Sequence, residues 1–503
     1  MTHLFSRRGL LGTGLGVGLA AGVGTPARAE PAASGTPIAI LDTTVIDGTG
    51  APPQRRMTVV VDGGRIAAVG PARETRVPSA AAVIDGRRRF VIPGLVDMHV
   101  HSSGDEAIDP PLYVVNGVTT VREMSGHPAL HDLRRRVDAG MLPGPRSVIA
   151  SPVLDGSPSL LAGRGVPYLD VADAGEARAA VKRAAVDGAD FVKVYTRLSA
   201  ESYAAIADET RRVGLDFAGH CPDDVPVTVA SDVGQRSFEH LFTVWCSTSA
   251  DEDSIRRALR AIRIEPGDAD GWFRAIHPLE LRAARTFDDR RAAHVFHRLA
   301  RNDSHLTPTL TMHRVVDLPA SVDTDDERLR YVPAEVRAAW EAGLAGLAGL
   351  AGPAGLGRGG RTAQDAELFG HRQRFVRAAA AAEVPLLAGT DTGSAYCFPG
   401  FSLHDELELL VRAGLSPMRV LLAATRDPMQ YLGLGSGTVR PGGLADLVVL
   451  DADPLRDIRN TRRVHAVITR GTLIDAARRD AMLAEVEQAA RSSSAVIHSC
   501  PCG

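Results

Sequence analysis

The chain has 503 residues, 45% of them apolar, 23% charged and 5% aromatic, with a formal net charge of −3. That length buries a large core and exceeds one average domain. The near-neutral balance, with Arg-rich stretches interleaved with Asp and Glu, reads as solvated surface and argues against a nucleic-acid partner.

In chain order, Ser6-Arg7-Arg8-Gly9-Leu10-Leu11 opens a mildly apolar, glycine-rich run to Gly24, and Ala27-Arg28-Ala29 follows. This pattern resembles a twin-arginine signal peptide over residues 1–29, cleaved after Ala29. It predicts a periplasmic or secreted protein handled by the twin-arginine export machinery, which carries folded cargo. The run is too short and too rich in glycine for a stable membrane span.

Residues 37–90 contain IAILDTTVID, MTVVVDGGRIAAVG and AAVIDG, apolar alternation broken by Asp-Gly turns. Residues 437–475 have the same texture, in GTVRPGGLADLVVLDADP and VHAVITRGTLI. Together they predict one small β-sandwich built from both ends of the mature chain.

Between them, over 91–436, strand-like runs alternate with helical stretches. The eight strand candidates are 95–101, 117–124, 146–154, 191–195, 215–221, 236–241, 305–313 and 384–391. Eight such units predict an α/β fold, a (β/α)8 TIM barrel. Two long excursions, 241–304 and 314–383, would lie at the barrel mouth, where one would form a lid. Within the second, GLAGLAGLAGPAGLGRGG carries enough Gly and Pro to argue against a rigid helix. Residues 476–503 read as an exposed helix and a disordered tail holding Cys500 and Cys502, while Cys221, Cys246 and Cys397 read as small buried thiols.

The chemistry begins at His99-Val100-His101, which closes the first strand. Side chains two apart in a strand share a face, so both rings would point into the barrel mouth. His220, His240 and Asp391 occupy the ends of strands five, six and eight, where residues distant in sequence converge. Imidazole and carboxylate at such positions form a plausible set for a divalent metal.

Of the 57 Lys plus Arg residues, only Lys182 and Lys193 are lysines. Arg stays charged, whereas Lys can lose its proton. Neutral Lys193, on strand four, can take up CO2 as a carbamate that bridges two metals; Lys182 reads as an ordinary helix-surface lysine.

The order PGLVDMHVH, strand-four Lys, two strand-end His and a late Asp resembles the amidohydrolase superfamily. More narrowly it is similar to the imidazolonepropionase-related, Xaa-Pro dipeptidase-like branch with a carboxylated lysine. NGVTTVREM, GHCPDDV, GQRSFEHL and LLAGTDTG carry that likeness, which covers roughly Pro37 to Asp475. It implies two divalent ions, zinc by ligand type, with iron, cobalt or manganese also fitting.

In that scheme His99, His101 and Asp391 hold the more buried ion and His220 and His240 the more exposed one. The carbamate on Lys193 bridges them, and Asp391 also serves as general base and acid. Tyr195 and Arg197 are candidates for a substrate carboxylate, and His313, ending strand seven, for the polarised oxygen. Glu123 stands where relatives often carry Asp, which puts that carboxylate's inherited role in doubt.

The expected activity is hydrolysis of an amide C–N bond in a dipeptide, N-acyl amino acid or cyclic amide. A lactonase, esterase or phosphotriesterase on the same binuclear centre is the alternative. A one-metal enzyme with unmodified Lys193 and a non-catalytic periplasmic metal-binding protein are the remaining readings. Substrate identity is not legible, and homo-oligomerisation is left open.

Overall fold

The computed structural model describes residues 35–349 and 358–493. The leader, the Cys500–Cys502 tail and part of the glycine-rich repeat lie outside them. The chain opens with β1 (Ile38–Val45), β2 (Gln54–Asp62), β3 (Arg65–Pro71), β4 (Ala82–Asp85) and β5 (Phe90–Pro93). Valine and isoleucine are frequent in these strands, with Val59, Val60 and Val61 of β2 buried in succession, and Gly63-Gly64 makes the turn between β2 and β3, both glycines at positive φ.

After Gly94 the parallel strands begin. They are β6 (Leu95–Val100), β7 (Val118–Glu123), β8 (Arg146–Ile149), β9 (Val153–Gly156), β10 (Tyr168–Val171), β11 (Phe191–Val194), β12 (Asp216–Gly219), β13 (Ser237–Glu239) and β14 (His305–Thr307). They form one sheet ordered β6-β7-β8 and another ordered β10-β9-β11-β12-β13-β14. Ala150 bridges to Phe191 between the two sheets, and Leu306 bridges to Leu386 at the far edge. Helices such as Ala174–Val186 and Ala200–Val213 connect successive strands, burying Ala177, Val181, Tyr203 and Ile206 against the sheet.

The chain then returns through β15 (Leu447–Leu450), β16 (Val464–Thr469) and β17 (Thr472–Ile474) to pair with the first strands. The result is a single eight-stranded sheet, β17-β16-β15-β5-β1-β2-β3, with β4 branching from β1. Both ends of the described chain thus contribute to one hydrogen-bonded sheet. Its strands share a core that includes Ile40, Val59, Ile66, Leu447 and Ile468, and Ile66 N–H donates to the Gly443 carbonyl.

Five local expectations change. Residues 384–391 form no regular strand and contribute only the isolated bridge of Leu386 to Leu306. Residues 146–154 split into β8 and β9 because Ser151-Pro152 interrupts the ladder, Pro having no N–H to give. Residues 305–313 are a strand only to Thr307; after Pro308 they turn into the helix Leu310–Asp317. The glycine repeat does not stop the helix Ala334–Gly349, whose Leu344 is buried beside Trp340. The C-terminal helix Ala476–Ser492 is exposed on one side only, since Met482, Val486 and Ala490 are buried.

Cys221, Cys246 and Cys397 are buried free thiols. Among the described residues no helix is long and apolar enough to cross a membrane.

Candidate metal centre

The apolar run of β6 delivers His99 on the strand and His101 just past its end. The segment carrying Asp391 lies beside it: Met98 N–H donates to the Ala388 carbonyl, and Asp391 N–H to the His99 carbonyl. As a result His99, His101 and Asp391 each offer a ligand atom, all within 4.8 Å of one another. Asp391 Oδ1 lies 3.1 Å from His99 Nε2 and 3.3 Å from His101 Nε2.

The other strand ends supply the remaining groups. His240 follows β13, its ring 4.6 Å from that of His99, and His220 follows β12, its ring 4.8 Å from that of His240. Lys193 lies within β11, is 1% exposed, and exerts its charge on His99, His220, His240 and Glu239. Lys182, by contrast, is a mostly exposed helix residue 3.9 Å from Glu209. Six residues spread over nearly three hundred positions thus meet at one end of the parallel strands.

Local backbone geometry is strained to achieve this. His240, Thr309 and Asp391 all adopt left-handed conformations, at φ 61°, 47° and 63°, which a non-glycine residue holds only when its surroundings over-determine it. Gly219 gives His220 its place: a Cβ there would lie 2.1 Å from the Val194 carbonyl oxygen.

Each ring is oriented by a partner. His99 Nδ1–H donates to Glu239 Oε2 at 3.0 Å, which turns Nε2 towards Asp391. His240 Nδ1 lies 2.7 Å from Thr309 Oγ1, and His220 Nδ1 lies 2.8 Å from Thr196 Oγ1. Such outer partners fix tautomer and ring plane in metal sites. Burial foremost, with the Lys193 charge adding to it, holds all three imidazoles below their usual pKa and so neutral.

Asp391 stays ionised. Burial pushes its carboxyl up, but the surrounding His240, His99 and His101 outweigh this and hold it well below the usual range. Its Oδ2 accepts a hydrogen bond from Ser394 Oγ at 2.7 Å.

His99 Nε2, His240 Nε2 and Asp391 Oδ1 are buried without a hydrogen-bond partner. Unmatched buried polar atoms are costly, and two neutral imidazole nitrogens converging with a carboxylate oxygen are a donor set suited to a divalent cation. The residues present therefore fit a metal.

Glu239 and Arg122 adjoin the site, and the strand-end pattern does not mark them. Glu239 accepts from Arg122 Nη2 at 2.7 Å and from Ser237 Oγ, besides orienting His99. Burial raises its carboxyl, yet Arg122, His99 and Lys193 together hold it below its usual value. Arg122 also donates to the Met98 carbonyl at 2.7 Å and stacks on Tyr431. Charged side chains inside otherwise apolar strands were the available signal. Glu123 has a different duty: it accepts from Ser102 N–H at 3.1 Å and Ser102 Oγ at 2.6 Å, and burial pushes its carboxyl up to about 8.

The substrate-contact candidates diverge. Tyr195 packs its ring 4.0 Å from His220. Arg197 is engaged elsewhere, donating to Asp223 Oδ2 at 2.9 Å and to the Ile262 carbonyl at 3.1 Å. His313 reaches the site from a helix rather than a strand end, its ring 6.3 Å from His240 and its Nε2 accepting Leu241 N–H at 3.1 Å.

The amidohydrolase family's sequence profile matches residues 289–474. No curated protein matches the sequence. Among solved structures, a candidate prolidase from Bifidobacterium longum is 25% identical, with TM-score 0.61 over 90% of this chain and 99% of that one. A bottromycin amidohydrolase is 23% identical, with TM-score 0.69 over 93% and 94%. A Xaa-Pro dipeptidase with methionine bound in its active site is 19% identical, with TM-score 0.62 over 88% and 100%.

Proposed function

We propose that this member of the amidohydrolase superfamily is an exported, metal-dependent hydrolase that cleaves an amide C–N bond in a dipeptide, an N-acyl amino acid or a cyclic amide. The observation that carries the reading is the buried convergence of His99, His101 and Asp391, with His240, His220 and Lys193 beside them. The likeness to prolidase, dipeptidase and amidohydrolase structures supports carbon–nitrogen bonds as the target. The bridges Ala150–Phe191, Leu306–Leu386 and Val100–Thr392 support reading the parallel strands as one (β/α)8 barrel.

Two divalent ions bound here, zinc by donor type, would polarise the substrate carbonyl and acidify a water towards neutral pH. His99, His101 and Asp391 would hold one ion, His220 and His240 the other. Anionic Asp391 takes the attacking water's proton and passes it to the leaving nitrogen. His313 accepts Leu241 N–H at Nε2, so its proton is on Nδ1, a buried donor for the substrate oxygen. The Lys193 amine, once deprotonated, would gain a C–N bond to CO2 and release a further proton, giving a carboxylate that would help hold both ions.

Metal stoichiometry is the test. The loaded chain should carry two ions, falling to one or none in Lys193→Ala, with amide turnover lost. One ion per chain, unaffected by that substitution, would establish the single-metal enzyme, a reading favoured by the tightness of the His99–His101–Asp391 group alone. Turnover confined to lactones, aryl esters or phosphotriesters would overturn the amide assignment.

A further inference from the structure

We infer that the substrate carries an uncharged aromatic or bulky apolar group, seated against Phe242 and Trp272 beside His220. This rests on the hydrolytic reading above and narrows its substrate class. Phe242 follows His240 by two residues, and its ring lies 5.6 Å from His240, 6.3 Å from His220 and 4.8 Å from His313. On its other side Trp272 meets it edge-on at 5.6 Å. A cavity of about 10 Å³, room for one water, lies between His220, Phe242 and Trp272. A substrate group entering there displaces or parts those two rings.

Thr196, Glu239 and Thr243 also line the cavity, and their polar atoms, like that of Trp272, are already bonded to neighbouring residues. Trp272 Nε1–H donates to Asp223 at 2.9 Å, and the same carboxylate oxygen accepts from Arg197 at 2.9 Å. Arg372 lies behind Phe242, 5.5 Å from its centroid, and is bound by Asp317 and Glu280. A substrate carboxylate drawing on either guanidinium would leave a buried acid without its counter-ion. An aromatic group instead gains edge-to-face contacts with both rings.

The test uses three acetyl amides that differ in ring and carboxylate: N-acetylphenethylamine, N-acetylphenylalanine and N-acetylglycine. On the metal-loaded full chain, N-acetylphenethylamine should exceed N-acetylglycine in kcat/KM by about tenfold or more. Phe242→Leu and Trp272→Leu should each shrink that preference. Tryptophan fluorescence of the metal-free chain should respond to N-acetylphenethylamine and not to N-acetylglycine. A preference for N-acetylglycine, or equal losses on all three amides in both variants, overturns the inference and leaves amide hydrolysis standing. If no amide is cleaved while phenyl acetate is, the amide reading fails; the fluorescence response then upholds the wall if present and overturns it if absent.

Discussion

Glu239 neutralises Arg122 with one carboxylate oxygen and orients His99 with the other, so one substitution probes both duties. Glu239→Gln keeps the shape but leaves a buried guanidinium without its counter-ion. We expect a stability loss of about 3 kcal/mol in urea unfolding and about a tenfold or greater fall in zinc affinity of the metal-free chain. Unchanged affinity would mean that His99 is held by its strand alone. The same residue marks the boundary of what the sequence reveals. His99, His101, His220, His240 and Asp391 were legible because packing alone rarely puts polar groups at one strand end after another. Thr196 and Thr309, which hold two of the rings, were not, because threonine is common in β-rich segments. Arg197 was legible as a charge near the mouth, but not that Asp223 engages it.

Among the elements, strand seven shows why periodicity misleads. The alternation in HLTPTLTMH suits a strand, but Leu310 and His313, three apart, equally share a helix face. Pro308 and the left-handed Thr309 decide the matter. The segment 384–391, expected as strand eight, depends on a different device, the close approach of Gly389. A Cβ there would lie 2.7 Å from Thr307 Cγ2 and 3.0 Å from His99 Cβ. Gly389→Ala should cost about 1–3 kcal/mol and weaken metal binding by moving Asp391 from His99; calorimetry with metal titration reads both. The helices outside the strands are tied by Arg372 on Arg358–Ala381, which bonds Asp317 on Leu310–Asp317 and Glu280 on Ala269–Arg285. Burial, only partly offset by Arg372, pushes Glu280 up to about 7 from 4.5. Folded protein therefore holds a proton that the unfolded chain releases near pH 4.5. That contribution to stability is complete below pH 4.5 and is lost as pH rises through about 7. Glu280→Gln should flatten the decline in urea midpoint between those limits, and an unchanged slope would place the linked proton elsewhere.

At the scale of the whole molecule, the order of assembly bears on where the protein works. The candidate metal centre draws on residues from His99 to Asp391, and β6, which carries His99, continues through Gly94 from β5. β5 in turn pairs with β15, which comes after all the parallel strands. Asp446, beside β15, accepts from Arg146 on β8 at 2.8 Å and from Arg470 N–H at 2.7 Å, joining the sheet to the parallel strands. The small sheet and the site therefore finish forming only when nearly all the chain is available. Such a long-range topology is slow to form and exposes strand edges meanwhile. This fits a route that moves the protein after folding, as the Arg7-Arg8 leader implies, rather than as a threaded chain. The late completion of the sheet is visible only in its pairing, and the leader stands as a residue pattern to be tested. Replacing Arg7 and Arg8 together by Lys should leave full-length protein in the cytoplasmic fraction, with metal content and turnover unchanged. The unaltered chain should appear outside, beginning near Glu30 by N-terminal mass spectrometry. Undiminished export of the double variant would sink the twin-arginine route without touching the chemistry assigned to the metal centre.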